Sequence, residues 1–128
     1  MKIPITKPYM DEEEQKACSK ILQTGWVAQG PKVGEFEKII SKYVNAKYGI
    51  ATNSCTSALH VALLAMGIKP NDEVIVPSYT FIATANVVLY VGAKPVFVDI
   101  DEKTYNINSE KIEEKITEKT KAILPVHL

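Results

Sequence analysis

Apolar residues follow two different rhythms along this chain, and the change comes near residue 48. Before it, Ala17, Cys18, Ile21 and Leu22, and then Phe36, Ile39, Ile40, Tyr43 and Val44, recur at three- and four-residue spacing. That spacing predicts two amphipathic helices. The first opens at Asp11 with acids in its first turn, as the helix dipole favours, and stops at Gly25. Gly25-Trp26-Val27-Ala28-Gln29-Gly30-Pro31 reads as a loop carrying one aromatic. Ile3-Pro4-Ile5-Thr6-Lys7-Pro8 reads as an extended arm, because two prolines exclude a helix.

From Tyr48 onward, short β-branched runs alternate with helical stretches. The pattern predicts strands at Tyr48–Thr52, Glu73–Pro77, Pro95–Ile100 and Lys121–Val126, with helices over 55–66, 80–91 and 109–117. Gly67 and Gly92 are placed as helix stops, and Pro70-Asn71-Asp72 as a turn. Strands apolar on both faces, alternating with helices, mean a mostly parallel sheet covered by helices. Helices 55–66 and 80–91 are apolar nearly all round, which predicts deep burial for both. Helix 109–117 is charged except at Ile112 and Ile116, so it is expected outside. Two parts follow: an N-terminal arm with two helices over 1–47, and an α/β part over 48–128. The run Ala122-Ile123-Leu124-Pro125-Val126-His127-Leu128 leads a buried strand straight to the last residue, where an open α/β fold would place a ligand-binding loop. On that ground the chain is expected to be the first part of a larger protein.

Charge narrows the range of functions. Fifteen basic residues balance fifteen acidic ones, so no global field draws in nucleic acid or an anionic membrane. Every basic residue is lysine, so an anion must be held by backbone amides, hydroxyls or lysine, not by a guanidinium fork. Cys18 and Cys55 lie far apart in different predicted elements and form no disulfide framework or metal-binding spacing. No apolar run is long enough to span a bilayer, and Asp11-Glu12-Glu13-Glu14 arrives where a signal peptide would be apolar. A cytoplasmic protein is the expectation.

Candidate chemistry gathers where strands end. Thr52-Asn53-Ser54-Cys55-Thr56-Ser57-Ala58-Leu59 runs from a β-branched stretch through small polar residues into a helix. Such a junction presents free N–H groups and the positive end of a helix dipole to an anion such as phosphate. Asn53, Ser54 and Thr56 are equally ordinary helix caps. Ser78-Tyr79-Thr80-Phe81 and His127 mark two further strand ends, which a parallel sheet brings to the same edge. Phe81 could stack on a planar ring or serve as a core residue, and Thr80 and Thr84 could cap or bond back within their helix. Asp99 and Asp101 share a strand face, but they lead into Glu102-Lys103-Thr104, and a turn and capping role is favoured over a metal or acid–base pair. No GxGxxG, Walker, HExxH or GxSxG pattern occurs.

These residues, in order, resemble a known family. Asn53-Ser54-Cys55-Thr56-Ser57-Ala58-Leu59, then Gly67 and Asp72-Glu73-Val74-Ile75-Val76-Pro77-Ser78-Tyr79-Thr80-Phe81-Ile82-Ala83-Thr84, then Gly92-Ala93-Lys94-Pro95-Val96-Phe97-Val98-Asp99 are similar to the DegT/StrS sugar aminotransferases. Pro8, Gly25-Trp26, Gly30-Pro31, Phe36-Glu37 and Thr120–His127 match as well. The resemblance implies an α/β fold: part of the large domain of a fold-type I enzyme dependent on pyridoxal 5′-phosphate (PLP), preceded by a helical segment. It implies that Cys55 and Thr56 bind the cofactor phosphate, that Phe81 stacks on the pyridine ring, and that Trp26 lines the sugar side. His127 matches a position near the site and is assigned no chemical step. The family's Schiff-base lysine and the acid facing the pyridine nitrogen match nothing in this sequence.

The resemblance further implies an enzyme that moves an amino group from an amino acid, usually glutamate, to a keto sugar-nucleotide, and that acts as a homodimer without nucleic acid or membrane partners. The segment alone is expected to be inactive. Rival readings are a sugar dehydratase of the same family, a phosphate-ligand binding module, and one subunit of a split enzyme.

Overall fold

A computed structural model describes residues 3, 4 and 6–128; Met1, Lys2 and Ile5, the last in the middle of the predicted arm, lie outside the described residues. The chain divides into two units, residues 1–51 and 52–128.

In the N-terminal unit, helix α1 spans Glu12–Thr24 and helix α2 spans Pro31–Tyr43. A capping box starts α1. Asp11 accepts from the Glu13 amide at 2.8 Å, and Glu14 accepts from the Asp11 amide at 2.7 Å. Gly25, at φ 75°, ends α1 in the left-handed conformation and donates its N–H to the Leu22 carbonyl. Pro31 occupies the first turn of α2, where its missing N–H costs nothing. Both helices form where the periodicity predicts, yet neither buries a residue, and Leu22, Phe36, Ile39 and Tyr43 remain exposed.

Residues 48–52 do not form the predicted strand. The Ala51 amide donates to Glu37 Oε1 at 2.9 Å, and Gly49 sits so close to the Glu37 carbonyl that a Cβ there would lie 2.6 Å from it. A side chain of α2 has taken a donor that a strand needs for its ladder.

The C-terminal unit holds helix α3 (Cys55–Ala65), strand β1 (Glu73–Pro77), helix α4 (Ala83–Tyr90), strand β2 (Lys94–Val98) and strand β3 (Thr120–Ile123). The sheet order is β2-β1-β3, with both pairings parallel. All five residues of β1 are buried, as a central strand covered on both faces requires. Val74 and Val76 face a core made with Leu63, Ile68, Val87, Val88, Val91 and Ala93. Gly67 and Gly92 end their helices at φ 74° and 76°, as predicted.

Three expectations fail here. Helix α3 buries only Leu63, although it is apolar all round. Helix 109–117 is replaced by two single turns of 3₁₀-helix, Ser109–Lys111 and Glu113–Lys115, closed by i→i+3 bonds such as Lys115 N–H to the Ile112 carbonyl. The chain must extend at Ile116 because the Thr117 hydroxyl is drawn 2.7 Å from the Glu73 carboxylate. The last strand stops at Ile123, three residues early; only Leu124 continues the pairing, through its N–H to the Ile75 carbonyl.

Candidate functional site

Connectivity fixes which ends of the elements meet. Helix α3 ends a short turn before β1, and α4 ends a short turn before β2, so both helix C-termini lie at the amino edge of the parallel sheet. Gly92 and Pro70 meet there, close enough that a Cβ on Gly92 would lie 2.9 Å from Pro70 Cγ. His60, midway along α3, and Tyr90, the last residue of α4, make an edge contact with centroids 5.6 Å apart. The N-termini of both helices therefore stand at the carboxyl edge, with the segment leaving β1. Open parallel sheets bind ligands on that edge.

The start of α3 is built from a tight polar cluster. Ser54 occupies the cap and accepts from the Ser57 amide at 3.1 Å. The Ser57 hydroxyl donates to Asn53 Oδ1 at 2.8 Å, so the 3.0 Å contact between the two serine hydroxyls has Ser54 as donor. Thr52 donates to the Ser54 carbonyl at 2.9 Å. The first intrahelical bond is Ala58 N–H to the Ser54 carbonyl at 3.0 Å. The cluster thus absorbs Asn53, Ser54 and Ser57 and leaves the amides of Cys55 and Thr56 with no intrahelical acceptor. No acid occupies this first turn, whereas α1 carries Glu12, Glu13 and Glu14 in its own. Cys55 is exposed and Thr56 is half-buried. The capping and anion readings therefore fall on different residues of one turn.

Phe81 leaves the end of β1 fully in view, 76% exposed. The Ser78 amide donates to the Val98 carbonyl at 2.8 Å, which holds the start of its segment to β2. Tyr79 packs on Tyr105 with centroids 5.8 Å apart, and Tyr105 takes the left-handed conformation at φ 59°. Thr80 and Thr84 bond to each other through their hydroxyls at 2.9 Å. His127 is exposed beyond β3, and the Leu128 amide next to it donates to Asn106 Oδ1. Cys55, Thr56 and Phe81 thus share one edge. Trp26, 59% exposed, belongs to the loop of the N-terminal unit.

Asp101 takes the turn role favoured from sequence, Asp99 forms an ion pair instead, and both lie beyond the end of β2. Asp101 Oδ1 accepts from the Thr104 and Lys103 amides at 2.8 and 3.1 Å. The Thr104 amide, followed by the Thr104 hydroxyl and the Lys103 amide, holds the Asp101 carboxyl below its usual range. Asp99 pairs with Lys111 at 3.2 Å. Among the described residues no cluster of three or more His, Cys, Asp or Glu could hold a metal ion. No helix of the described residues is long and apolar enough to cross a membrane.

The model of the DegT/DnrJ/EryC1/StrS aminotransferase family matches residues 8–128. The chain belongs to this family. Among its relatives is the GDP-perosamine synthase of Caulobacter vibrioides, 48% identical over 128 residues, with 99% of this chain and 34% of that protein covered. The solved aminotransferase of Psychrobacter cryohalolentis superposes with a TM-score of 0.90 at 41% identity, covering 98% of this chain and 32% of that one. NtdA of Bacillus subtilis, solved with bound cofactor PMP, superposes with a TM-score of 0.86 at 47% identity, covering 91% and 27%. The chain spans about a third of the length of the curated relatives it matches. The family and the mixed α/β fold of the sequence reading are both established by these matches.

Two features of this edge escaped the sequence reading. The Tyr79–Tyr105 pair joins residues 26 apart along the chain. The mutual bond of Thr80 and Thr84 was visible only as two separate capping candidates.

Proposed function

We propose that this chain supplies the phosphate-binding turn and one ring-facing wall of the PLP site of a sugar aminotransferase. The observation that carries the reading is the first turn of α3, where the Cys55 and Thr56 amides are free, no acid intrudes, and the exposed Phe81 stands on the same sheet edge.

The residues suit the cofactor. A phosphate dianion is matched by two free amides and a helix dipole, and the small, half-buried Thr56 adds a hydroxyl without crowding it. Phe81 offers an apolar face to a pyridine ring and excludes water from that side. PLP, when bound, supplies the electron sink for the chemistry at the amino-acid carbon. This chain contributes binding and orientation, and none of its residues is assigned a proton transfer. The whole protein is proposed to take an amino group from an amino acid, most simply glutamate, and to pass it to a keto sugar-nucleotide, with Trp26 on the sugar side. It is proposed to act in the cytoplasm as a homodimer. The 128-residue chain alone is proposed to have no transaminase activity; a glutamate-dependent transamination at an enzyme-like rate by the chain alone would refute that part.

The site itself is tested in the intact protein by titrating PLP and pyridoxal against Thr56→Glu. A carboxylate in the first turn opposes the phosphate and weakens PLP by roughly tenfold or more, while pyridoxal, which lacks the phosphate, changes little. Equal affinities for PLP in the two proteins would show that the phosphate binds elsewhere.

A further inference from the structure

Three polar or charged residues are buried in the C-terminal unit: Asp72, Glu73 and Thr84. The first two belong to the amino edge and are bonded there, Asp72 to the Lys69 amide and Glu73 to Lys94 and Thr117. Thr84 is different. It lies 4% exposed in the first turn of α4, at the carboxyl edge, and its hydroxyl bonds to that of Thr80 at 2.9 Å. We propose that Thr84 is a positioning residue that fixes the Phe81 ring for stacking on the cofactor; the inference rests on the assignment of Phe81 to the PLP site.

The start of α4 has no ordinary cap. Ile82 occupies that position and offers no side-chain acceptor. Two bonds hold the turn in its place, and they bracket Phe81. The Thr84 amide donates to the Phe81 carbonyl at 3.0 Å, and the Thr84 hydroxyl holds Thr80, the residue before Phe81. Both bonds end on one residue whose neighbours Ala83 and Ala85 are themselves buried, so the anchor is rigid. The ring it directs is not rigid by its own packing. Phe81 is largely exposed and pairs with no other aromatic ring among the described residues, so its direction follows the backbone of this turn. Valine would fill the Thr84 site with nearly the same volume. A hydroxyl there must be desolvated and is repaid only by its bond to Thr80.

The test compares Thr84→Val, Thr84→Ser, Thr80→Val and the double valine variant in the intact protein. PLP affinity is measured together with the visible circular dichroism of bound PLP, which reports the asymmetry around the ring and is insensitive to a loss of global stability alone. Losing the hydroxyl bond is expected to weaken PLP by about fivefold and to reduce the dichroic band. Thr84→Ser should restore both, and the double variant should be no worse than either single valine, because each removes the same bond. Wild-type affinity and dichroism in Thr84→Val would overturn the inference; if that variant does not fold, the same result in Thr80→Val would. Phe81→Ala separates the two levels. If it leaves PLP binding and dichroism unchanged, Phe81 does not stack and both readings fall. If it lowers them while the threonine variants do not, only the positioning role is lost.

Discussion

Leu63 is the deepest anchor of α3, and with it of the candidate phosphate turn; Leu59 and His60 add shallower contacts from the same helix. Leu63 is 1% exposed and is the only buried residue in its helix, whereas Leu64, its neighbour in sequence, is 55% exposed. Replacing Leu63 by alanine removes three carbons from a pocket lined by Ile68, Val74, Val76, Val87 and Val88. Lost transfer energy alone is about 2.4 kcal/mol at ~0.8 kcal/mol per carbon. The lining is almost entirely β-branched and stiff at χ1, so the pocket closes poorly and a cavity term adds to this. A total of about 3–4 kcal/mol is expected for Leu63→Ala. The same substitution at Leu64 removes a side chain that is already half in water and should cost roughly 1 kcal/mol or less. Urea unfolding followed by far-ultraviolet circular dichroism measures both, with constant m confirming that the unfolding transition is unchanged. A loss below about 1.5 kcal/mol at Leu63, or equal losses at the two positions, would show that Leu63 is not the main anchor of α3.

The remaining predictions concern the amino edge of the sheet. Glu73 is held below the ordinary glutamate value, first by the Thr117 hydroxyl and then by Lys94. A lowered value means stability that is present in full above 4.5 and is lost as pH falls below it and the carboxylate protonates. Glu73→Gln should therefore lower the thermal midpoint at neutral pH and approach the parent protein under acid, so a gap of constant size at every pH would contradict the assignment. Gly92→Ala places a Cβ at φ 76° and 2.9 Å from Pro70 Cγ, and should cost about 1–2 kcal/mol in unfolding free energy. A neutral effect would show that the turn relaxes freely.

How far the sequence reveals this structure depends on the range of the interaction involved. Strand β1 appears at its predicted bounds because the β-branched run Val74-Ile75-Val76, set between the turn ending at Asp72 and the polar Ser78, carries a local signal. The stops at Gly25, Gly67 and Gly92 are equally local, since a left-handed residue is needed there and only glycine takes it without strain. The strand expected at 48–52 fails for a reason 14 residues away, the Glu37 carboxylate that captures the Ala51 amide. The missing helix at 109–117 reflects a partner 44 residues distant, where Thr117 is claimed by Glu73. Apolar composition gave the wrong burial for α3 because it counts the faces a helix could bury, not the partners available to cover them. The candidate site was legible in its residue types, since Cys55, Thr56 and Phe81 fall at element ends that topology brings together. The division of α3's first turn into capping and open groups was not, because Asn53, Ser54, Thr56 and Ser57 are interchangeable as cap residues until their bonds are known.

The two edges of this sheet are bonded differently. At the amino edge the two buried acids and Lys94 are bonded to one another or to the backbone. Asp72 takes the Lys69 amide, Glu73 takes Lys94 and Thr117, and the Lys94 amide reaches the Asp72 carbonyl at 2.9 Å. Those contacts link the start of β1 to the start of β2 and to the turn before β3. At the carboxyl edge the bonds stop short of completion. The Asn53–Ser57 cluster bonds within itself and leaves the Cys55 and Thr56 amides open, and Thr80 and Thr84 bond to each other on either side of the exposed Phe81. Open amides at a helix start and an exposed ring are each ordinary taken singly. Both occur on one edge, beside one another in the topology and small enough in scale for a phosphate and a pyridine ring, and that coincidence is the physical content of the cofactor assignment.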